Sequence, residues 1–313
     1  MTADEFIREW TDSSATVGAH TSGSTGAPKE IRLLKADMRA SAMRTNAFFR
    51  LGQGSVYLCP LSPDYIAAKM MIVRALENNG QIIMARPSNE IVIPDGITVD
   101  LLAIVPSQTD SLLRSPESAA RIRNIIIGGA ELSEERRRGL VGCGYNAYET
   151  YGMTETCSHV ALRKIGSEYF RALPGIEFSC DRRGCLTIHI DNFSTEYFTT
   201  NDMVELCDSK AFRWLGRYDN VINTGGIKIY AEQLEKEIAA IIGNTFPFYI
   251  TSQPSEKWGY EIVMVAETSE ESVAAVCRSI ALAMPHTHVP KRYIAVSALP
   301  RTASGKIRRI LPS

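Results

Sequence analysis

Short apolar runs alternate along the first half of the chain with segments whose apolar residues recur at three- to four-residue spacing. Residues 37–49 carry Met38, Ala42, Met43 and Ala47 at helical spacing, and residues 55–61 read as a buried strand. The cycle continues with a helix over 65–77, strands over 81–85 and 101–105, a helix over 108–113, a strand over 124–127 and a helix over 133–140. Alternating strands and helices predict an α/β domain with a mostly parallel sheet, in which ligands bind beyond the carboxyl ends of the strands. Two segments are read as such loops: Gly128-Gly129-Ala130-Glu131, and Glu149 to Glu155 after a strand over 145–148. From about residue 158 short alternating strands take over, parted by Pro174-Gly175, Arg183-Gly184 and Asp208-Ser209. They predict a β-rich subdomain over about 158–216, of small-barrel form. Gly216-Arg217-Tyr218-Asp219-Asn220 is polar and turn-forming, and the strands and helices beyond it suffice for a small α+β domain. The expected division is 1–218 and 219–313.

Composition adds mainly exclusions. The chain has 313 residues, 45% hydrophobic and 22% charged, which suits a soluble protein of one large and one smaller domain. A formal net charge of -1 gives no global footprint for nucleic acid or an anionic membrane. Seven cysteines without a C-x-x-C pair predict reduced thiols and no zinc site. The acidic, mixed N-terminus and the lack of any run of ~18 apolar residues predict a cytoplasmic protein. Glu134-Glu135-Arg136-Arg137-Arg138 reads as a solvated helix face.

The densest candidate chemistry lies at His20-Thr21-Ser22-Gly23-Ser24-Thr25-Gly26-Ala27-Pro28-Lys29. Hydroxyl side chains, two glycines and a following lysine suit a loop that wraps phosphate oxygens with backbone N–H groups, hydroxyl donors and a cation. A flexible Gly/Ser linker has the same composition, but the alternating runs on either side predict a hairpin-like connection between strands. The spacing is not that of a Walker A loop.

Taken in order, these segments resemble the signature set of the adenylate-forming superfamily of acyl-CoA synthetases, luciferases and peptide-synthetase adenylation domains. Thr21 to Lys29 resembles its phosphate loop, Gly128 to Glu131 its adenine-side loop, and Tyr148-Glu149-Thr150-Tyr151-Gly152-Met153-Thr154-Glu155 its aromatic-Gly-x-Thr-Glu motif. Thr200-Asn201-Asp202 stands where the family has Thr-Gly-Asp, Gly216 to Ile222 resembles the hinge motif, and Pro300-Arg301-Thr302-Ala303-Ser304-Gly305-Lys306 resembles the C-terminal lysine loop.

The resemblance implies an ATP-dependent ligase that activates a small-molecule carboxylic acid as acyl-AMP, releases pyrophosphate and forms a coenzyme A thioester. It implies ATP contacts from Thr21, Ser22, Gly23, Ser24, Thr25, Gly26, Lys29, Gly129, Ala130, Glu131, Tyr151, Gly152 and Met153, with Tyr151 against adenine and Asp202 and Arg217 on the ribose hydroxyls. Lys306 would bridge substrate carboxylate and α-phosphate, supplying charge where two anions meet. Thr154 and Glu155 complete the catalytic set, Glu155 positioning Mg²⁺. Asp219 resembles the hinge residue, and Gly225, Gly226 and Lys228 the segment lining the thiol's route. A tight hairpin turn is the structural reading of those glycines.

Among these ligases the chain looks most like the o-succinylbenzoate–CoA ligases of menaquinone biosynthesis, and is expected to be a compact member because little precedes the phosphate loop. In the matching register Arg74 would pair with the second carboxylate of o-succinylbenzoate, with Lys69 assisting and Tyr65 where the family has His. Pro63-Asp64 is an insertion, Ala68 and Glu30 stand where Gly is usual, and Asn201 replaces the central Gly of Thr-Gly-Asp. Loading of a carrier protein with another acid, and a non-catalytic nucleotide-binding role, are the alternatives; Lys306, Glu155 and Asp202 argue against the second. The shortened N-terminal region leaves surface that a second subunit could cover, as a homodimer.

Overall fold

In the computed structural model, which describes residues 1–20, 29–243, 245–301 and 307–312, the chain divides into two compact units. The first comprises Met1–Ser179, Ile188–Phe198 and Leu206–Arg213, and the second Cys180–Thr187, Thr199–Glu205 and Trp214–Ser313. In chain order the elements up to the change of texture are α1 (Ala3–Thr11), β1 (Thr16–His20), β2 (Glu30–Leu34), α2 (Lys35–Phe48), β3 (Val56–Cys59), α3 (Ile66–Glu77), β4 (Gln81–Met84), β5 (Leu101–Ile104), α4 (Thr109–Arg114), β6 (Ile125–Ile127), α5 (Glu134–Gly142), β7 (Ala147–Gly152), β8 (His159–Lys164) and β9 (Phe170–Ala172). They are followed by β10 (Ile176–Cys180), β11 (Cys185–Ile190), β12 (Tyr197–Asp208), β13 (Ala211–Arg217), β14 (Val221–Thr224), β15 (Ile227–Tyr230), α6 (Ala231–Ile242), β16 (Phe248–Ser255), β17 (Gly259–Glu267), α7 (Glu270–Ala283) and β18 (Arg292–Val296).

The apolar runs form the sheet of the first unit. From the β4 edge its order begins β4-β3-β5-β6-β7-β8-β9-β13. The pairs from β4 through β7 are parallel, as the strand–helix alternation predicts. All of β5 and β6 is buried, as parallel strands covered on both faces require. Leu58, Leu102, Ile104, Ile125 and Ile127 share one core with Leu112 of α4 and Leu140 of α5. β1 and β2 pair separately, with His20 opposite Glu30, so the phosphate-loop segment does join two antiparallel strands. Residues 21–28 of that segment lie outside the described residues.

Two expectations need correction. The strands after residue 158 do not open a separate barrel: β8 pairs antiparallel with β7, β9 with β8 and β13 with β9, extending the same sheet. Apolar alternation marks a half-buried strand, but the sheet it joins depends on register. The second motif, read as a loop from Glu149, is strand as far as Gly152 and pairs with β6 and β8. Its polar residues there are held by partners across the sheet.

Within the second unit β15-β14-β17-β16 form a sheet with β18 parallel beside β17. α6 and α7 bury Leu234, Ile238 and Ile280 with Ile222, Ile250 and Met264 of the strands. Among the described residues no helix is long and apolar enough to cross a membrane.

Candidate active site

β6 and β7 bring two of the motifs together. Ile127 is in register with Glu149, and the Thr150 hydroxyl donates to the Ile127 carbonyl at 3.3 Å, just before Gly128 to Glu131. Gly129, Ala130 and Glu131 are exposed there. Glu149 is buried, between Arg137 of α5 and Arg163 of β8. Arg137 Nη2 donates to Oε1 at 2.9 Å and Arg163 Nη2 to Oε2 at 2.6 Å. Burial alone would raise this carboxyl's pKa, but the two guanidiniums overcome it and hold the group below its ordinary value. Arg137 Nη2 also lies 3.9 Å from Glu131. The Glu134–Arg138 run is therefore not a uniformly solvated face: Arg137 turns to Glu149, and Arg136 makes a two-pronged pair with Asp110.

Beyond β7 the chain turns through residues 153–158. The Met153 N–H donates to Thr156 Oγ1 at 3.1 Å, and the Thr156 hydroxyl lies 2.7 Å from the Ser158 carbonyl. Gly152 leaves no room for a side chain, since a Cβ there would lie 2.3 Å from the Ser158 carbonyl oxygen. Thr154 is buried with its hydroxyl 3.5 Å from the carbonyl of His20, the last described residue before the phosphate-loop segment. Glu155 is exposed, Met153 half-buried, and Lys29 exposed just before β2. The Tyr151 ring packs edge-on to Phe212 at 5.0 Å and tilted on Phe170 at 5.7 Å.

The acid-side candidates separate. Arg74 is 1% exposed, and its Nη2 donates to Ser158 Oγ at 2.7 Å. Its Nε is buried without an acceptor. No carboxylate among the described residues pairs with it, and burial pushes the guanidinium down to about 10, with the Tyr57 and Cys59 side chains acting in the other direction. Lys69 does not join it. Its Nζ donates to the Gly18 carbonyl and lies 5.3 Å over the Phe6 ring. Five residues along a helix turn the side chain about 140° away from Arg74, which is the reason. Tyr65 precedes α3 and is 66% exposed. Sequence reasoning missed the residues that do meet Arg74, Ser158 and beyond it His159, because only the sheet brings them to α3.

Within the second unit Asp202 Oδ1 accepts from the Trp214 indole N–H at 3.2 Å and lies 3.7 Å from Arg217 Nη1. Arg217 Nη2 is 3.5 Å from Asp219, on the helical turn Tyr218–Asn220. Gly225 and Gly226 form the two-residue turn between β14 and β15, with φ of 54° and 81°, as a tight hairpin demands. The Gly225 N–H donates to the Trp258 carbonyl at 2.9 Å, and Lys228 is exposed. Gly225→Ala, placed in a left-handed conformation with its Cβ 2.9 Å from the Trp258 ring, is expected to destabilise the protein by about 1–2 kcal/mol, read as a fall in Tm by calorimetry. Lys306 lies outside the described residues.

Comparison with known proteins gives the family. Residues 8–179 match the AMP-binding enzyme family. The chain belongs to that family and is an adenylate-forming enzyme by class. Individual resemblances of this chain are more particular. It is 33% identical to an AMP-forming acyl-CoA synthetase/AMP-acid ligase II-like protein from Dyadobacter fermentans, covering 98% of this chain and 91% of that one with a TM-score of 0.67. It is 25% identical to the 2-succinylbenzoate–CoA ligase of Listeria monocytogenes over 97% of this chain and 71% of the relative. The o-succinylbenzoate coenzyme A synthetase of Bacillus subtilis, solved with ATP and magnesium ion, shares the fold at TM-score 0.74 and 19% identity, over 93% of this chain and 68% of that one.

Proposed function

We propose that the protein is an ATP-dependent acid–CoA ligase whose acid carries two carboxylates, with o-succinylbenzoate as the substrate. The observation that carries the choice of acid is Arg74, a buried guanidinium with no carboxylate partner among the described residues and an Nε donor without an acceptor. A buried charge left this way is costly, and a substrate carboxylate would supply both the missing charge and the missing acceptor. The relative from Listeria monocytogenes is a 2-succinylbenzoate–CoA ligase, which supports the same reading.

In this reading the segment from Thr21 to Lys29 holds the β- and γ-phosphates, Gly129 to Glu131 and Tyr151 to Met153 line the adenine, and Asp202 accepts from the ribose hydroxyls beside Arg217. Lys306 stabilises charge as the substrate carboxylate attacks the α-phosphorus and pyrophosphate leaves. Glu155, an exposed carboxylate after buried Thr154, suits Mg²⁺, which takes one or two carboxylates together with substrate phosphates rather than a cage of protein ligands; the ion would neutralise phosphate charge. Asp219 is the pivot between the two half-reactions of a small domain spanning 219–313, and Gly225, Gly226 and Lys228 border the path of the CoA thiol.

The test is ATP–pyrophosphate exchange with a panel of mono- and dicarboxylic acids, then AMP release with CoA added. Exchange supported by o-succinylbenzoate, and a thioester product on adding CoA, are expected. Exchange with every acid but o-succinylbenzoate rules out the substrate, and exchange without a CoA product points to carrier-protein loading. Arg74→Met, which keeps the volume without the charge, is expected to raise KM for o-succinylbenzoate about a hundredfold, the scale of a lost charge-assisted pair.

A further inference from the structure

The surroundings of Arg74 hold a chain of hydrogen-bonding groups that runs from α2 to β8. The Thr45 hydroxyl of α2 donates its one proton to the Ser41 carbonyl at 3.3 Å. Thr45 Oγ1 also lies 3.0 Å from His159 Nε2; when the hydroxyl keeps its proton on the Ser41 carbonyl it accepts there, and Nε2 carries the imidazole proton. In that tautomer His159 Nδ1 is a lone pair, 3.3 Å from Ser158 Oγ, and can accept the Ser158 proton. Ser158 Oγ accepts in turn from Arg74 Nη2 at 2.7 Å. Asn46 holds the other end of Arg74, donating to its backbone carbonyl at 2.9 Å, and accepts from the Tyr57 hydroxyl at 3.0 Å. His159 is buried, and burial together with the charge of Arg74 keeps its pKa well below the ordinary value, so the ring stays neutral.

We propose that His159 is a positioning residue for recognition of the substrate's second carboxylate: by taking the Ser158 proton it leaves Ser158 Oγ as an acceptor that orients Arg74. This rests on the reading of Arg74 given above. The design has a physical logic. A carboxylate in place of Ser158 and His159 would orient the guanidinium equally well but would neutralise it. A neutral relay orients it and leaves its charge, and the Nε donor, for the acid. Thr45 acts one step further out, by setting the tautomer.

The position of the two ring nitrogens supplies the test. The His159→Asn side chain carries an oxygen near the place of Nδ1 and preserves the acceptor for Ser158, whereas that of His159→Gln reaches towards Thr45 and does not. Initial rates of ATP–pyrophosphate exchange would be measured with o-succinylbenzoate and with the monocarboxylate analogue that retains the activated carboxylate. His159→Gln is expected to raise KM for the diacid about tenfold, the scale of one hydrogen bond at a charged group, with kcat changed less than about threefold. The same variant should leave the monoacid unchanged, and His159→Asn should keep the diacid preference. Arg74→Met is the control, expected to abolish that preference. If Arg74→Met loses the preference while His159→Gln keeps it, the relay is wrong and the Arg74 reading stands. If Arg74→Met keeps it, both fall. Equal losses on both acids in both His159 variants would show a purely structural histidine and overturn the proposal.

Discussion

Glu149→Gln is expected to destabilise the protein by about 2–4 kcal/mol, because it removes the negative charge from between two largely buried guanidiniums. Arg137 and Arg163 keep only 15% and 14% of their side chains exposed, so water replaces the lost pairing poorly. On the scale of a domain this size the loss corresponds to a fall in Tm on the order of 10 °C, measurable by calorimetry. The same triad predicts the acid limb of the stability curve. The folded-state pKa of Glu149 lies below its ordinary value, so its contribution is fully present above about pH 4.3, the unfolded value, and is lost as pH falls through the folded one. Glu149→Gln should therefore flatten the pH dependence of Tm below about pH 4.3 relative to wild type. A wild-type slope in the variant would show that the carboxyl is not held by the two arginines. Since Arg137 also approaches Glu131, a weaker apparent affinity for ATP is expected alongside the stability loss.

This triad also marks how far the sequence could be read. Periodicity sufficed for the parallel strands, because Leu101–Ile104 and Ile125–Ile127 are continuous apolar runs that only a doubly covered sheet accommodates. It failed at β7, where Glu149 and Thr150 look like loop residues until their partners across the sheet are known. It failed again at Arg137, whose neighbours Glu134, Glu135 and Arg138 are exposed; a helix turns about 100° per residue, so one member of a charged run can be buried. On the acid side the motif pointed to Arg74, which the structure buries. Lys69 was grouped with Arg74 for want of helical phase, though its side chain turns to Gly18, and Ser158 and His159 were invisible because they meet Arg74 only through the fold. A lone histidine in an apolar strand carries no signal of the proton it holds.

Lys306→Ala is expected to slow acyl-adenylate formation about a thousandfold, the scale on which removal of one positioned donor affects a charge-developing transition state, while thioester formation from pre-made acyl-adenylate stays within about threefold. Arg301 pairs with Ile307, and the Arg308 N–H donates to the Pro300 carbonyl at 2.8 Å. Arg309 grips Glu235 of α6 with Nε at 3.0 Å and Nη2 at 2.7 Å, and Glu235 also accepts from the Ile250 N–H at 2.8 Å. The chain on both sides of the lysine is thus tied to the second unit's own core, so the substitution should not cost global stability and its effect can be assigned to chemistry. If adenylation draws on Lys306 and thioester formation does not, the two half-reactions use different parts of that unit, as the role proposed for Asp219 requires. Single-turnover measurement of each half-reaction separates them. Equal loss in both would place the lysine at a step common to the two and remove the reason for a pivot at Asp219.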